Sequence, residues 1–364
     1  SWVRVSDRWV PYPFQNNIRY LPESDAADCL VGLIRAQAAD APSSKDAANF
    51  GEFIDRVFGE GIARIFMRPY NFKVWAHPPE LMNKHWIGER VAVIDVERAV
   101  RNVVEKRDDF GWGPNKRFKF PLKGGTGEFY RRIAERLTDR IELSTAVVRI
   151  DAARKVAIVR TPDGTTEERP FDALISAMPL DVLCTEIVSD APSEVREAAG
   201  GLLHSAGHMV GIGLQRPCPS TKSWMYFPGD DCPFYRVTYL SNYSPHMTPN
   251  QTGANDTHYS LLCEISASGH KPVDASKVVQ DTIAGLENAG LLEPGERDDI
   301  VSTWHHAVEY SYPTPSVDRD ERLSVAIPWL EAHQIYSRGR FGMWKYEVAN
   351  TDHTLMQGVE VVDR

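Results

Sequence analysis

Several chemistries are missing from this sequence. The five cysteines (Cys29, Cys184, Cys218, Cys232 and Cys263) are odd in number and widely spaced, with no CxxC pair. This excludes a zinc ribbon or dithiol redox motif, makes buried thiols the ordinary reading, and points to a reducing compartment, the cytosol. No apolar run approaches the ~20 residues of a membrane helix. The opening stretch Ser1–Pro13 has no apolar leader segment. There is no Lys/Arg block and the formal net charge is −9, so nucleic acid is not an expected partner. P-loop, nucleophile-elbow and H-E-x-x-H patterns are absent. His305 and His306 are adjacent, so their side chains diverge and no metal site is expected. A G-x-G-x-x-G after a strand is also lacking, so a complete dinucleotide-binding half cannot be read here.

What remains is a chain of 364 residues, 42% hydrophobic, enough for two or three domains. From Pro22 to about Asp108 the pattern is helical. Phe50, Phe53, Ile54, Val57 and Phe58 fall on one face, interrupted by Gly59 and Gly61. From Gly124 a glycine-led helix is expected, with Phe129, Ile133 and Leu137 on one face. Short β-rich runs follow at 146–150, 156–160 and 173–177, with Asp163-Gly164 as a hairpin signal. Between 201 and 310 the chain alternates like an antiparallel sheet, at 209–214, 235–240 and 259–265. One helix interrupts it, with Asp274 as its expected cap, Val279, Ile283 and Leu286 as its buried face, and Gly290 as its end.

Four segments are dense in groups suited to a nucleotide-sugar. The first two are Val10–Asn17 (VPYPFQNN) and Phe66–Trp75 (FMRPYNFKVW). Their aromatic faces suit stacking on uracil, and their amides suit its alternating donors and acceptors. Taken singly, each of these residues is equally at home in a core. The third is Trp224–Pro228 with Phe234–Arg236. The fourth runs from Tyr310–Pro315 through Ser337–Gly342 to Trp344–Tyr346. A guanidinium among phenols suits a diphosphate, because arginine grips phosphate through paired N–H bonds and tyrosine adds donors without charge. A lone arginine is as often a surface ion pair.

Taken together, these segments resemble the eukaryotic-type UDP-galactopyranose mutases. The matching runs are PYPFQNN (11–17), FMRPYNFKVW (66–75), GERV (88–91), WGPN (112–115), GGTG (124–127), CPFYR (232–236), SNYS (241–244), YPTP (312–315), SRGRFG (337–342) and YEV (346–348), in order over nearly the whole chain. The resemblance implies an α/β (mixed) fold. An FAD-binding Rossmann-like domain would lie in discontinuous pieces (1–18, 115–200 and 312–364), with a helical insertion (19–114) and an antiparallel-sheet insertion (201–311). It implies interconversion of UDP-galactopyranose and UDP-galactofuranose through a covalent adduct with N5 of reduced FAD, with NADPH as the reductant.

Roles follow by position. Tyr12, Phe14, Gln15, Phe66, Met67, Asn71 and Trp75 match the uridine pocket. Arg236 matches the diphosphate arginine, with Tyr226, Tyr312 and Tyr346 around it and Trp224 in the same wall. Arg90 and Asn115 match residues near sugar and flavin. Gly125, Val147, Arg340, Asn350 and Asp352 match the FAD lining. The family also carries an opening β-α-β unit with the FAD diphosphate glycines and a longer C-terminal end, so this sequence is expected to be a fragment. Ala349-Asn350-Thr351 stands where the family has Gly-Asn-Gln. Two other readings compete: an FAD-dependent oxidoreductase of the amine-oxidase type, and a non-catalytic UDP-sugar binder. UDP-galactose is the expected partner, and homo-oligomerisation is left open.

Overall fold

A computed structural model describes residues 1–110, 119–249, 257–348 and 350–363. In chain order, strands β1 (Trp2–Val5) and β2 (Arg8–Pro11) precede helices α1 (Glu23–Ala36), α2 (Phe50–Ile62), α3 (Arg68–Trp75), α4 (Val96–Val104) and α5 (Gly125–Ala134). Next come β3 (Ala146–Asp151), β4 (Val156–Arg160), β5 (Thr166–Pro170), β6 (Leu174–Ser176), the short α6 (Leu180–Val182) and α7 (Ser193–Gly200). Strands β7 (His204–Leu214), β8 (Trp224–Tyr226), β9 (Arg236–Tyr239) and β10 (Tyr259–Ala267) lead to α8 (Val278–Asn288). The chain ends with β11 (Ile300–Pro313), α9 (Arg319–Ala332), β12 (Ile335–Ser337) and α10 (Thr351–Val362). No helix among the described residues is long and apolar enough to cross a membrane.

The chain divides into two compact units: Ser1–Arg132 with Ser205–Ser311, and Ile133–His204 with Tyr312–Arg364. The first is built on a seven-stranded sheet of order β11-β7-β10-β9-β8-β1-β2. Alternation along its strands sends Val210, Ile212, Met225, Val237, Leu261, Cys263 and Ile265 into one core, which Val278 and Leu286 of α8 close. Each such fully buried aliphatic side chain contributes about 1.5–3 kcal/mol relative to exposure.

The helical segment belongs to this same unit. As the periodicity predicts, Phe50, Ile54, Val57 and Phe58 form the buried face of α2. Gly59 breaks the helix with φ +70°, and a Cβ there would lie 2.1 Å from the carbonyl oxygen of Gly32 on α1. The absent side chain is what lets α1 and α2 touch backbone to backbone.

The second unit holds the meander β3-β4-β5 and a parallel pair, β12-β6. The Asp163-Gly164 signal forms the turn between β4 and β5, with Gly164 at φ +87° and Gly164 N–H donating to Thr161 O. Helices α7 and α9 pack together, with Val195, Ala199, Leu323, Ala326 and Leu330 buried.

Three expectations differ from the structure. Residues 1–18 are expected among the FAD-binding pieces, but β1 pairs in parallel with β8 (Trp2↔Met225, Val3↔Tyr226), so they extend the seven-stranded sheet. The helical and sheet insertions (19–114 and 201–311) are not two separate bodies, because α3 packs on β10 and Lys73 bonds to the β8–β9 loop. Asp274 does not cap α8. Its carboxylate accepts from the Ser276 N–H in a turn before the helix, and Lys277 occupies the cap position. Phe129, Ile133 and Leu137, expected only to share a face, are solvent-exposed, and α5 has no buried residue.

Candidate functional site

In the first unit the two expected uridine segments are brought side by side. Residues 14–16 form a 3-10 turn after Pro13. Residues 63–67 form a π-helical turn that leads into α3, with Pro69 in its first turn. Phe14 stacks on Phe66 (centroids 4.7 Å apart), and Phe66 stacks on Tyr70 (5.1 Å). Tyr70 meets Tyr226 edge-on at 5.4 Å, and Tyr12 leans on Tyr226 at 5.1 Å. The result is a continuous aromatic series from the N-terminal turn to β8. Sequence reasoning does not single out Tyr70, although it lies inside the FMRPYNFKVW segment.

Burial separates roles within this group. Phe14 is fully buried, and Trp75 is buried edge-on against Trp86, so both rings are core packing as placed. Met67 is buried, and its carbonyl accepts from the Asn71 side-chain amide at 2.7 Å, fixing that amide. The three amides at 15–17 are not equivalent. Asn17 is a clip: its Nδ2 donates to Pro13 O and Asp109 O, and its Oδ1 accepts from the Asp109 N–H. Gln15 donates through Nε2 to Ala92 O, while its Oε1 is buried and has no hydrogen-bond partner among the described residues. A buried acceptor without a donor is costly, and a ligand N–H would satisfy it.

The series ends at a charged group. Tyr226 on β8 lies opposite Arg236 on β9, and Arg236 lies opposite Glu264 on β10. Arg236 donates through Nε and Nη2 to the two carboxylate oxygens of Glu264, at 2.6 and 2.7 Å. The Tyr235 hydroxyl donates to the same carboxylate at 2.9 Å. Trp224, two residues before Tyr226 on β8, meets Tyr243 edge-on at 6.1 Å. Burial pushes the Tyr243 phenol up to about 12, so it remains a neutral donor.

Lys73 ties the helical half to the hairpin half. Its buried ammonium donates to Gly229 O at 2.6 Å and Cys232 O at 2.8 Å, in the loop between β8 and β9. Burial lowers its pKa. Arg90 lies half-buried on the 3-10 turn Gly88–Arg90. Asn115 lies outside the described residues.

Gly125 opens α5 at φ +64°, and a Cβ at this position would meet nothing within 4 Å among the described residues.

In the second unit Tyr312 meets Tyr346 edge-on at 5.4 Å, and the Arg340 guanidinium lies 5.3 Å above the Tyr312 ring. The turn carrying Tyr346 is anchored by a fork that sequence reasoning misses. Arg319 donates through Nη1 and Nη2 to Glu347 at 3.0 and 2.9 Å. Val147 lies on β3 beside a register shift between Val147 and Arg149. Asn350 is the cap residue of α10, and Asp352 is exposed in its first turn. Ser176 and Ser337 are register partners at the carboxyl ends of the parallel strands β6 and β12. Both hydroxyls are buried without a partner among the described residues. Carboxyl ends of parallel strands are where such sheets bind cofactors, so this unit's polar groups fit a flavin nucleotide.

The profile of the flavin containing amine oxidoreductase family matches residues 10–337. A solved structure of a reduced UDP-galactopyranose mutase is 45% identical over 100% of this chain and 77% of its own, with a TM-score of 0.92. A protein described as a protoporphyrinogen oxidase, from Exiguobacterium sp. 255-15, shares the fold at 14% identity over 100% of this chain and 80% of its own (TM-score 0.66). So does a fatty acid isomerase from P. acnes, at 14% identity over 100% and 79% (TM-score 0.59). The fold is thus the mixed helix-and-sheet fold of the FAD-dependent amine oxidases. The chain belongs to the flavin containing amine oxidoreductases and, within them, to the UDP-galactopyranose mutases, which are flavin-dependent isomerases.

Proposed function

We propose that this protein interconverts UDP-galactopyranose and UDP-galactofuranose on reduced FAD, with NADPH as the reductant, as a cytosolic step in galactofuranose supply. The observation that carries the substrate reading is the aromatic series from Phe14 to Tyr226, which ends directly at Arg236. Uracil offers a flat face and a ring N–H. The tyrosines supply the face, and Gln15 Oε1 is an acceptor for the N–H. The diphosphate suits the Arg236 guanidinium and the Tyr226 hydroxyl; in the second unit, Tyr312 and Tyr346 are proposed as substrate-binding residues. Reduced flavin, when bound, supplies the nucleophile that allows the sugar to part from UDP and return. The chain's own residues bind the leaving UDP, hold it for return and orient the sugar. Arg90 and Asn115 are proposed near the sugar. Gly125, Val147, Arg340, Asn350 and Asp352 are proposed along the FAD.

The amine-oxidase reading calls for an apolar substrate cavity. The Arg236–Glu264–Tyr235 group is polar, and its guanidinium suits a phosphate ligand better than an apolar one. The deciding assay incubates flavin-loaded, reduced protein with UDP-galactofuranose and separates the products by chromatography. UDP-galactopyranose should form with reduced protein and not with oxidised protein. No conversion by the reduced, flavin-loaded form would refute the proposal. A protein that binds UDP, holds no flavin and shows no turnover would instead be a nucleotide-sugar binder.

A further inference from the structure

We infer that Glu264 is the positioning residue for Arg236, fixing which end of the guanidinium meets a phosphate. This inference rests on the diphosphate reading of Arg236 given above. Glu264 is the one charged residue of β10 (YSLLCEISA), and its side chain is 8% exposed. A carboxylate there is costly unless fully hydrogen-bonded. It accepts from Arg236 Nε, Arg236 Nη2 and Tyr235 OH, all within 2.9 Å. The main chain reinforces the contact: the Tyr235 N–H donates to Glu264 O at 3.0 Å. The grip on Nε and Nη2 turns Nη1 away from the carboxylate. It holds the guanidinium plane on the sheet face that it shares with Tyr226.

Two effects of opposite sign follow from such an arrangement. The carboxylate's charge repels a diphosphate, whereas its grip removes the rotamer freedom that a long arginine side chain would otherwise lose on binding. The grip dominates, because the carboxylate's charge is largely neutralised by the guanidinium it holds. Salt separates the two effects: screening weakens the repulsion but leaves the geometry in place.

The experiment measures dissociation constants of the full chain for UDP and for uridine, in low and in about 0.5 M salt. Arg236→Ala serves as the reference and should weaken UDP while sparing uridine. Glu264→Gln should weaken UDP about tenfold and leave uridine within about twofold, the scale of losing one charge-assisted hydrogen bond near a ligand. Its ratio to wild type should grow at high salt. Arg236→Lys, which keeps the charge and loses the fork, should also weaken UDP about tenfold. That variant carries the test if Glu264→Gln does not fold.

Unchanged or tighter UDP binding in Glu264→Gln, with Arg236→Ala still weak, overturns the inference and leaves the diphosphate reading standing. Equal losses for UDP and uridine overturn it as well, since they mean a general disturbance of the fold. If Arg236→Ala binds UDP normally, the diphosphate reading fails first and the inference falls with it.

Discussion

Two arginine–glutamate forks stand behind the tyrosines of this protein, and they are buried the opposite way round. In the first unit the acid is the inner member: Glu264 is 8% exposed and Arg236 is 31%. In the second unit the base is the inner member: Arg319 is 1% exposed and Glu347 is 21%. The same pair of side chains therefore does different work. Arg236 is the more exposed member of its fork. Arg319 is sealed among Asp320 and Glu347 and holds the turn that carries Tyr346. A buried fork is a fastening, and a half-buried one is a grip.

Glu347→Ala breaks the comparison most severely. It leaves Arg319 buried with only the Asp320 carboxylate beside it. Removing one partner of a buried pair typically costs about 3–5 kcal/mol, and urea unfolding should show a loss of that order. Replacing both residues, as Arg319→Met with Glu347→Leu, should recover most of it, because an apolar pair of similar volume is close to neutral. If the single substitution costs less than about 1 kcal/mol, Arg319 is not a fastening.

Arg236→Ala is the matching operation on the other fork. It should weaken UDP binding by about 2–3 kcal/mol, the scale for a charge-assisted phosphate contact. It should also cost folding stability, because Glu264, 8% exposed, is left with the neutral Tyr235 hydroxyl as its donor. Calorimetric titration of UDP beside a urea melt separates the two quantities. A variant that lost stability and kept its UDP affinity would reverse the roles assigned to the forks.

These forks also show where sequence reading stops. The apolar face of α2, the hairpin at Asp163-Gly164 and the end of α8 at Gly290 (φ +65°) were legible, because each is a local periodicity or a turn with one stereochemical demand. The parallel pairing of β1 with β8 was not, since no local pattern joins residues 2–3 to 225–226. Arg236 was legible from its aromatic surroundings. Glu264, 28 positions further on, has no spacing relation to it. The available signal was a single acid in the strand YSLLCEISA. Arg319 was hidden differently, inside the charged run DRDER, where nothing in the sequence says which member turns inward.

The smallest prediction contrasts the two units in alkali. Burial pushes the Cys184 thiol of the second unit up to about 12. In the first unit Cys232 is pushed up to about 11, held lower by the ammonium of Lys73, whose Nζ is 3.5 Å from its sulfur. A thiol whose folded pKa is raised keeps its proton while the unfolded chain loses it. Its contribution is therefore complete below the unfolded value near 9 and is lost as pH climbs toward the folded value. Lys271 works the other way. Burial lowers it to about 8, so the cost of keeping it charged is relieved between pH 8 and the ordinary lysine value near 10.5. Between pH 7 and 10, Cys184→Ala should flatten the fall in unfolding free energy by about 1 kcal/mol, and Lys271→Met should steepen it by about 2 kcal/mol. The comparison is of pH slopes, so any fixed packing cost of either substitution cancels. Parallel slopes in wild type and both variants would mean that these groups do not titrate differently in the folded and unfolded chains.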